Sequence, residues 1–269
     1  MPRCQNWLAS AIAVPALLCA ASTPAAPARQ TPINIRPAQS VPLRHAAPIR
    51  ATLADDVTLD LANTWAADGP IDAEWATLKA TVPAGSTLTL GPVRYNLLQF
   101  HFHTPAEHAI NGRRAPMEVH FVFLRDGSQP CGRNPDALLV IGAMIRPGPR
   151  HAELGKIFDA AALPANAAAG HLAVPHFNLG KVLGPLHPTW RYPGSLTAPA
   201  SFAPACTQPE GDVAAQLAAR VLPENVSWVV LQRPITMSAG QIAAFVRLFP
   251  HGNSRPLQPV GSRRVGRAR

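Results

Sequence analysis

The chain of 269 residues lacks most of the signatures that announce a reaction. It has no Gly-rich dinucleotide fingerprint and no Walker sequence, so nicotinamide, flavin and P-loop nucleotide chemistry have no motif to hold the phosphates. It has no Cys-x-x-Cys pair, which excludes a thioredoxin-like couple and a cysteine-rich zinc ribbon. There is no internal repeat, and solenoids and propellers are excluded with it. Gly194-Ser-Leu-Thr-Ala198 lacks the second glycine of a nucleophile elbow, so it does not imply a hydrolase serine. Acidic side chains are scarce too: 15 Asp and Glu stand against 24 Lys and Arg, a net charge of +9. Much of that excess lies in Arg263-Arg-Val-Gly-Arg-Ala-Arg269. Such a run can attract nucleic acid or an anionic surface, but no aromatic interleaving or nucleic-acid motif accompanies it. Residues 261–269 therefore read as a solvated basic tail, with no nucleic-acid partner.

No apolar run is long enough to span a membrane. Leu8 to Ala21 is unbroken apolar and small-residue sequence, preceded by Arg3 and followed by Ser-Thr-Pro-Ala-Ala-Pro-Ala. That is the layout of a signal peptide. Residues 1–26 are assigned to it, with cleavage near Ala21 or Ala26. Leu18 before Cys19 is a poor lipoprotein signal, so a soluble exported protein, periplasmic and without stable membrane insertion, is expected. Cys4 and Cys19 leave with the signal, and Cys131 and Cys206 remain. Roughly 240 residues are left, enough for one large β-rich domain over 27–260. The thirty prolines fit irregular connections between its strands.

What is present is histidine at a telling spacing. Residues 99–103 read Gln-Phe-His-Phe-His, and a third histidine, His120, closes Met117-Glu-Val-His120. A strand sends alternate side chains to opposite faces. Gln99, His101 and His103 then share one face, and Leu98, Phe100 and Phe102 the other. In the later run Glu118 and His120 oppose Val119, Phe121 and Phe123. Both runs read as central strands with buried backs, and Ile110-Asn-Gly112 between them as a turn. If the two strands pair antiparallel, all three histidines can point into one cavity. Three imidazoles without a cysteine are what zinc needs if it is to keep a fourth position open for water. The plainer alternative is a set of ordinary polar residues on a solvated sheet face. Gln99 and Glu118, each two residues before a histidine and on its face, weigh against it, because ligating histidines give their second ring N–H to such groups.

Gln-Phe-His-Phe-His-Thr-Pro-Ala-Glu-His108, with Ile110-Asn-Gly and Met117-Glu-Val-His, resembles the zinc-binding core of the α-class carbonic anhydrases, particularly the bacterial ones. Gln30-Thr-Pro-Ile-Asn-Ile35, Arg191-Tyr-Pro-Gly-Ser-Leu-Thr-Ala-Pro199 and Asn253-Ser-Arg-Pro-Leu-Gln-Pro259 are similar to three further family stretches, in order. The resemblance implies a mainly β single domain: a central, mostly antiparallel twisted sheet of about ten strands with short peripheral helices. It implies Zn2+ on His101, His103 and His120, with Gln99, Glu118 and the Asn253 carbonyl as their orienting partners. Thr197 matches a gatekeeper hydroxyl that donates to the buried carboxylate of Glu107. An ionised carboxylate only accepts, so the threonine proton must point at it. Val122, Val140, Leu196 and Trp228 match the apolar pocket for carbon dioxide, with Thr197 and Ala198 beside it. The implied reaction is reversible hydration of carbon dioxide to bicarbonate and a proton by zinc-bound hydroxide.

The chain departs from the family in several places. Asn63-Thr-Trp-Ala66 matches the stretch that carries a proton-shuttle histidine in many members, which puts Ala66 where that histidine stands. Proton export would then use water, buffer or another histidine such as His45. Ala198 replaces a second threonine. The aromatic-rich segment that usually precedes Gln-Ser-Pro-Ile is missing. Residues 200–225 are an insertion, and within it Asp212–Leu222 is Ala-rich between Gly211 and Pro223, so a short helix is expected. Bacterial relatives often bond the cysteine after the Thr-Pro-Pro stretch to one near the N-terminus, which this chain lacks. The resemblance places the Cys131 loop near the same region, so a Cys131–Cys206 disulfide is expected in an oxidising compartment. The main rival reading is a catalytically weak or silent binding module on this fold. The oligomeric state is left open, a homodimer included.

Overall fold

The structure, a computed structural model, describes residues 29–64, 75–129, 134–159, 163–199 and 222–269. Eight strands frame the site: β1 Val57–Asn63, β2 Leu78–Thr81, β3 Val93–His103, β4 Met117–Arg125, β5 Leu138–Pro147, β6 His171–Phe177, β7 Thr189–Gly194 and β8 Val226–Leu231. They lie side by side as β6-β1-β2-β3-β4-β5-β8-β7, and Gly266–Ala268 and then Val41–Pro42 extend the sheet past β7. Within this path only β5 with β8 and the outermost pair run parallel. The mostly antiparallel sheet of about ten strands is thus as expected. The helices are short: α1 Ala152–Phe158, α2 Gly180–Leu183 and α3 Ala239–Val246. α3 opens on a capping box in which Ser238 Oγ accepts from the Gln241 N–H and Gln241 Oε1 from the Ser238 N–H, satisfying two donors that a helix start leaves free.

The sheet's two faces divide the molecule. On the rear, Phe100 and Phe102 of β3, Phe121 and Phe123 of β4, and Leu139 and Ile141 of β5 form one core with Phe158 of α1 and Phe245 of α3. Phe100 and Phe121 lie 5.3 Å apart and Phe102 meets Phe158 edge-on at 4.9 Å. Each of these rings, fully removed from water, contributes roughly 1.5–3 kcal/mol. On the front, Val122, Val140, Leu196 and Trp228 belong to a second, smaller core. β4 is buried on both faces, as its apolar and histidine-bearing sequence requires.

Two details differ from strict alternation. Val122 pairs with Gln99 but Phe123 with Leu97, so Leu98 is an extra residue in β3. A bulge of this kind re-aims a side chain. Leu98 turns to the front beside Gln99, lining a cleft, instead of packing behind with Phe100 and Phe102. The Asn111-Gly112 turn is present, with φ of 51° and 79°, the two left-handed residues of a type I′ hairpin. It joins two two-residue strands, Ala109–Ile110 and Arg113–Arg114, and Asn34–Ile35 pairs with the first of them. Gln30-Thr-Pro-Ile-Asn-Ile35 is thereby docked beside the loop that carries Glu107.

The reading of residues 261–269 as a solvated tail is corrected. Gly266–Ala268 is a strand, in register with β7 from Thr189↔Ala268 to Arg191↔Gly266. Val265 and Ala268 are buried, and the strand supplies partners for backbone groups that β7 would otherwise leave open. The signal segment 1–26, Ala66, Cys131, Cys206 and residues 200–221 of the insertion, including all but Leu222 of its expected helix, lie outside the described residues. The insertion's return is fixed: Gln30 Nε2 donates to the Leu222 carbonyl and Gln30 Oε1 accepts from its N–H, at 3.0 and 2.9 Å. Among the described residues no helix is long and apolar enough to cross a membrane.

Candidate metal centre

β3 and β4 pair antiparallel with His120 directly across from His101 and Glu118 across from His103. The three histidines therefore meet on the front face. Each offers one ring nitrogen to a common point, and these atoms lie within 4.8 Å of one another. The other nitrogen of each ring has its own partner. His101 Nδ1 is 2.8 Å from Gln99 Oε1, and His103 Nδ1 is 2.9 Å from the Asn253 carbonyl. His120 Nε2 is 3.1 Å from Glu118 Oε1, an ion-pair distance. The free nitrogens are thus Nε2, Nε2 and Nδ1. His103 Nε2 is buried without a hydrogen-bond partner, which is costly for a polar atom and suits a metal ligand. Three neutral imidazoles and no thiolate are a donor set that zinc accepts.

The electrostatics of His101 and His103 agree with that role. Burial, and then the neighbouring His103 and His120, hold His101 well below the ordinary histidine range. Burial likewise lowers His103. Both rings are neutral near pH 7, the form a metal requires. Burial pushes His120 down as well, but the Glu118 charge and contact outweigh it and raise it. Burial raises Glu118, yet His108 and His120 together hold it well below the usual carboxylate range. Glu118 stays ionised in the interior because His108 donates to it twice, from the backbone N–H to Oε2 and from Nδ1 to Oε1, both at 2.8 Å. The far side of the His108 ring meets the Tyr192 hydroxyl.

Glu107 is fully buried. Its Oε1 accepts from the Arg255 N–H at 3.0 Å. Its Oε2 has no hydrogen-bond partner and lies 3.7 Å from His103 Nε2 and 3.8 Å from His120 Nδ1, directly behind the point where the rings converge. Thr197 is buried and lines the same cleft, but among the described residues no hydrogen bond joins it to Glu107. The cleft has a volume of about 490 Å³. His101 and His103 lie in its wall with Val122, Leu196 and Ala198. Val140 and Trp228 do not reach the surface of the cleft; they stand behind Val122 and Leu196 in the same apolar cluster. His45 is exposed and lies outside the cleft.

Sequence reasoning missed four contributors. His108 and Tyr192 fix Glu118, and their signal was only the adjacency of His108 to Glu107. Gly142, across from His120 in β5, leaves the space that Glu118 fills. Lys79 of β2 lies across from His101 and had no motif to mark it.

The comparisons point one way. A family profile described as eukaryotic-type carbonic anhydrase matches residues 20–204. The carbonic anhydrase of Neisseria gonorrhoeae is 33% identical over 190 residues, covering 70% of this chain and 63% of the relative. That of Pectobacterium carotovorum is 31% identical over 188 residues, covering 70% and 64%. The matched part of the chain thus spans slightly less than two thirds of the length of these relatives. Among solved structures, α-carbonic anhydrase from Thermovibrio ammonificans, in complex with the inhibitor sulfanilamide, superimposes with a TM-score of 0.67 at 27% identity, covering 88% of this chain and 86% of that one. With the profile, the relatives and the fold in agreement, this chain belongs to the eukaryotic-type, or α-class, carbonic anhydrase family.

Proposed function

We propose that the protein is an exported zinc enzyme that interconverts carbon dioxide with bicarbonate and a proton. The observation that carries this reading is the convergence of His101 Nε2, His103 Nε2 and His120 Nδ1 beside an apolar-walled cleft. Zinc bound there supplies a Lewis acid that makes water nucleophilic near neutral pH, a property for which this family is itself the reference case. Gln99, the Asn253 carbonyl and Glu118 hold the three rings in the tautomers that leave those nitrogens free. Thr197 takes the unpartnered Oε2 of Glu107 as the acceptor for its hydroxyl proton. Its oxygen can then only accept a hydrogen bond from the nucleophile, which fixes the direction of attack. Val122 and Leu196, backed by Val140 and Trp228, give carbon dioxide an apolar wall. Ala198 contributes a methyl where a hydroxyl would have contacted the product.

Apart from the ligands, no histidine lines the cleft among its described residues. The proton accordingly leaves to solvent buffer, and Ala66 is taken to stand where a shuttle would. Stopped-flow hydration by the zinc-loaded mature protein over a range of imidazole concentrations tests the whole reading. Rapid turnover that rises with imidazole is expected. Turnover that does not respond while proton transfer is limiting would remove the missing-shuttle component. No turnover with zinc bound would favour the silent binding module, which the complete histidine set otherwise argues against. Cys131 and Cys206 are taken to be bonded in the exported protein; alkylation of both without reductant would remove that bridge.

A further inference from the structure

The cleft carries one charge that the reaction does not use. Lys79 of β2 stands directly across the sheet from His101 and lines the cleft. Beyond His101 and His103 it is the only titratable side chain among the described lining residues. It is half-buried. Among the described residues no carboxylate pairs with it. Asp60, on the neighbouring strand two residues from Ala62, the partner of Lys79, is held by His171 Nδ1 at 2.7 Å. Glu107 and Glu118 are fully buried and bond to the Arg255 N–H and to His108. Thr77 and Thr81 flank Lys79 two residues away on either side and also line the cleft, as strand alternation requires. Leu98, turned outward by the bulge, joins Val122 and Leu196 as the apolar part of the wall. An ammonium with no counter-charge, beside apolar surface in a cleft, is the arrangement that selects a ligand with a charged head and an apolar body.

We propose that Lys79 determines ligand specificity by making this cleft a site for monocarboxylates. The ammonium takes the carboxylate, and Leu98, Val122 and Leu196 take the apolar body. Charge from the cleft wall does the holding, so binding does not need the metal. Bicarbonate is the smallest member of the class; that extension alone rests on the carbon dioxide reading.

The test uses the full mature chain stripped of metal, with benzoate titrated by calorimetry and neutral benzamide as its uncharged isostere. Benzoate is expected to bind, to weaken about tenfold in Lys79→Gln, and to be largely restored in Lys79→Arg, since either cation serves a carboxylate. Raising salt from about 20 to about 200 mM should weaken benzoate in the parent protein and leave the Lys79→Gln variant little changed. Benzamide should respond to none of these changes. Equal benzoate affinity in the parent and Lys79→Gln proteins, or a parallel loss of benzamide, would overturn the proposal. In the zinc-loaded protein, Lys79→Gln should raise KM for bicarbonate more than it lowers kcat. An unchanged KM beside intact benzoate selectivity would overturn the bicarbonate extension only. Because the calorimetry needs no turnover, a failed hydration assay and a failed carboxylate site give different results.

Discussion

Gly142→Ala probes the least conspicuous element of the centre. Gly142 lies across β5 from His120. A Cβ at this position would stand 2.7 Å from Glu118 Oε1 and 3.6 Å from His120 Cδ2. The second contact is ordinary, but the first lies well inside van der Waals distance, so the carboxylate must retreat by about half an ångström or more. Glu118 has little freedom to do so, because His108 holds both of its oxygens and Tyr192 holds His108. The displacement falls on the contact that orients His120. Disturbing such a partner of a metal ligand typically costs about 10–100-fold in metal affinity, a range to which carbonic anhydrases themselves contributed. We expect the zinc Kd of Gly142→Ala to rise about tenfold or more, equivalent to about 1.4 kcal/mol. Competition against a chromophoric chelator measures it, with thermal unfolding of the metal-free protein run alongside. Glu118→Gln, which keeps the volume and removes the charge, should weaken zinc in the same assay. A folded Gly142→Ala protein that binds zinc as tightly as the parent would refute the reasoning, because His120 would then not depend on where Glu118 sits.

His120→Ala should remove zinc and hydration together, read by metal analysis of the dialysed protein; retained stoichiometric zinc would refute its assignment as a ligand. Phe121→Ala, at the centre of the rear core, should cost about 3–5 kcal/mol in denaturant unfolding of the metal-free protein, and a loss below about 1 kcal/mol would mean that the core is not packed as described. Glu153 gives a pH dependence. Burial raises its carboxyl, but Lys156 Nζ and the Asn178 N–H, each 2.7 Å away, outweigh burial and lower it. A carboxyl lowered by folding adds stability that is full above its unfolded pKa, about 4.3, and is lost as pH falls through the lower folded value. The stability advantage of the parent over Glu153→Gln should therefore shrink below about pH 4.3. A gap that stays constant into acid would contradict that account.

The convergence of the three histidines was legible because it depends on local periodicity. His101 and His103 share a face by alternation, and His120 follows from pairing two strands whose rear faces are both aromatic. The orienting partners Gln99 and Glu118 were legible for the same reason. Leu98 was misplaced because a bulge is a property of the pair of strands, and β3 alone gives no sign of it. His108 and Gly142 were missed because their roles exist only once β4 and β5 lie side by side and a carboxylate must fit between them. The final arginines misled for a related reason. Their charge suggested solvent, whereas Val265 and Ala268 bury beside β7, and Arg263 rests its guanidinium 5.6 Å over the Tyr192 ring.

The strand at Gly266–Ala268 lies between β7 and Val41–Pro42, so it joins one of the earliest described segments to the latest. Until residue 268 has been made, neither neighbour can complete its hydrogen bonds on that side, and the outer third of the sheet cannot close. While the stretch through Ala268 is still inside a ribosome or a translocation channel, the free edge of β7 stays open to pairing with any strand nearby. The outer edge of the sheet is therefore closed late, by a segment that lies more than 200 residues along the chain from one of the two strands it joins.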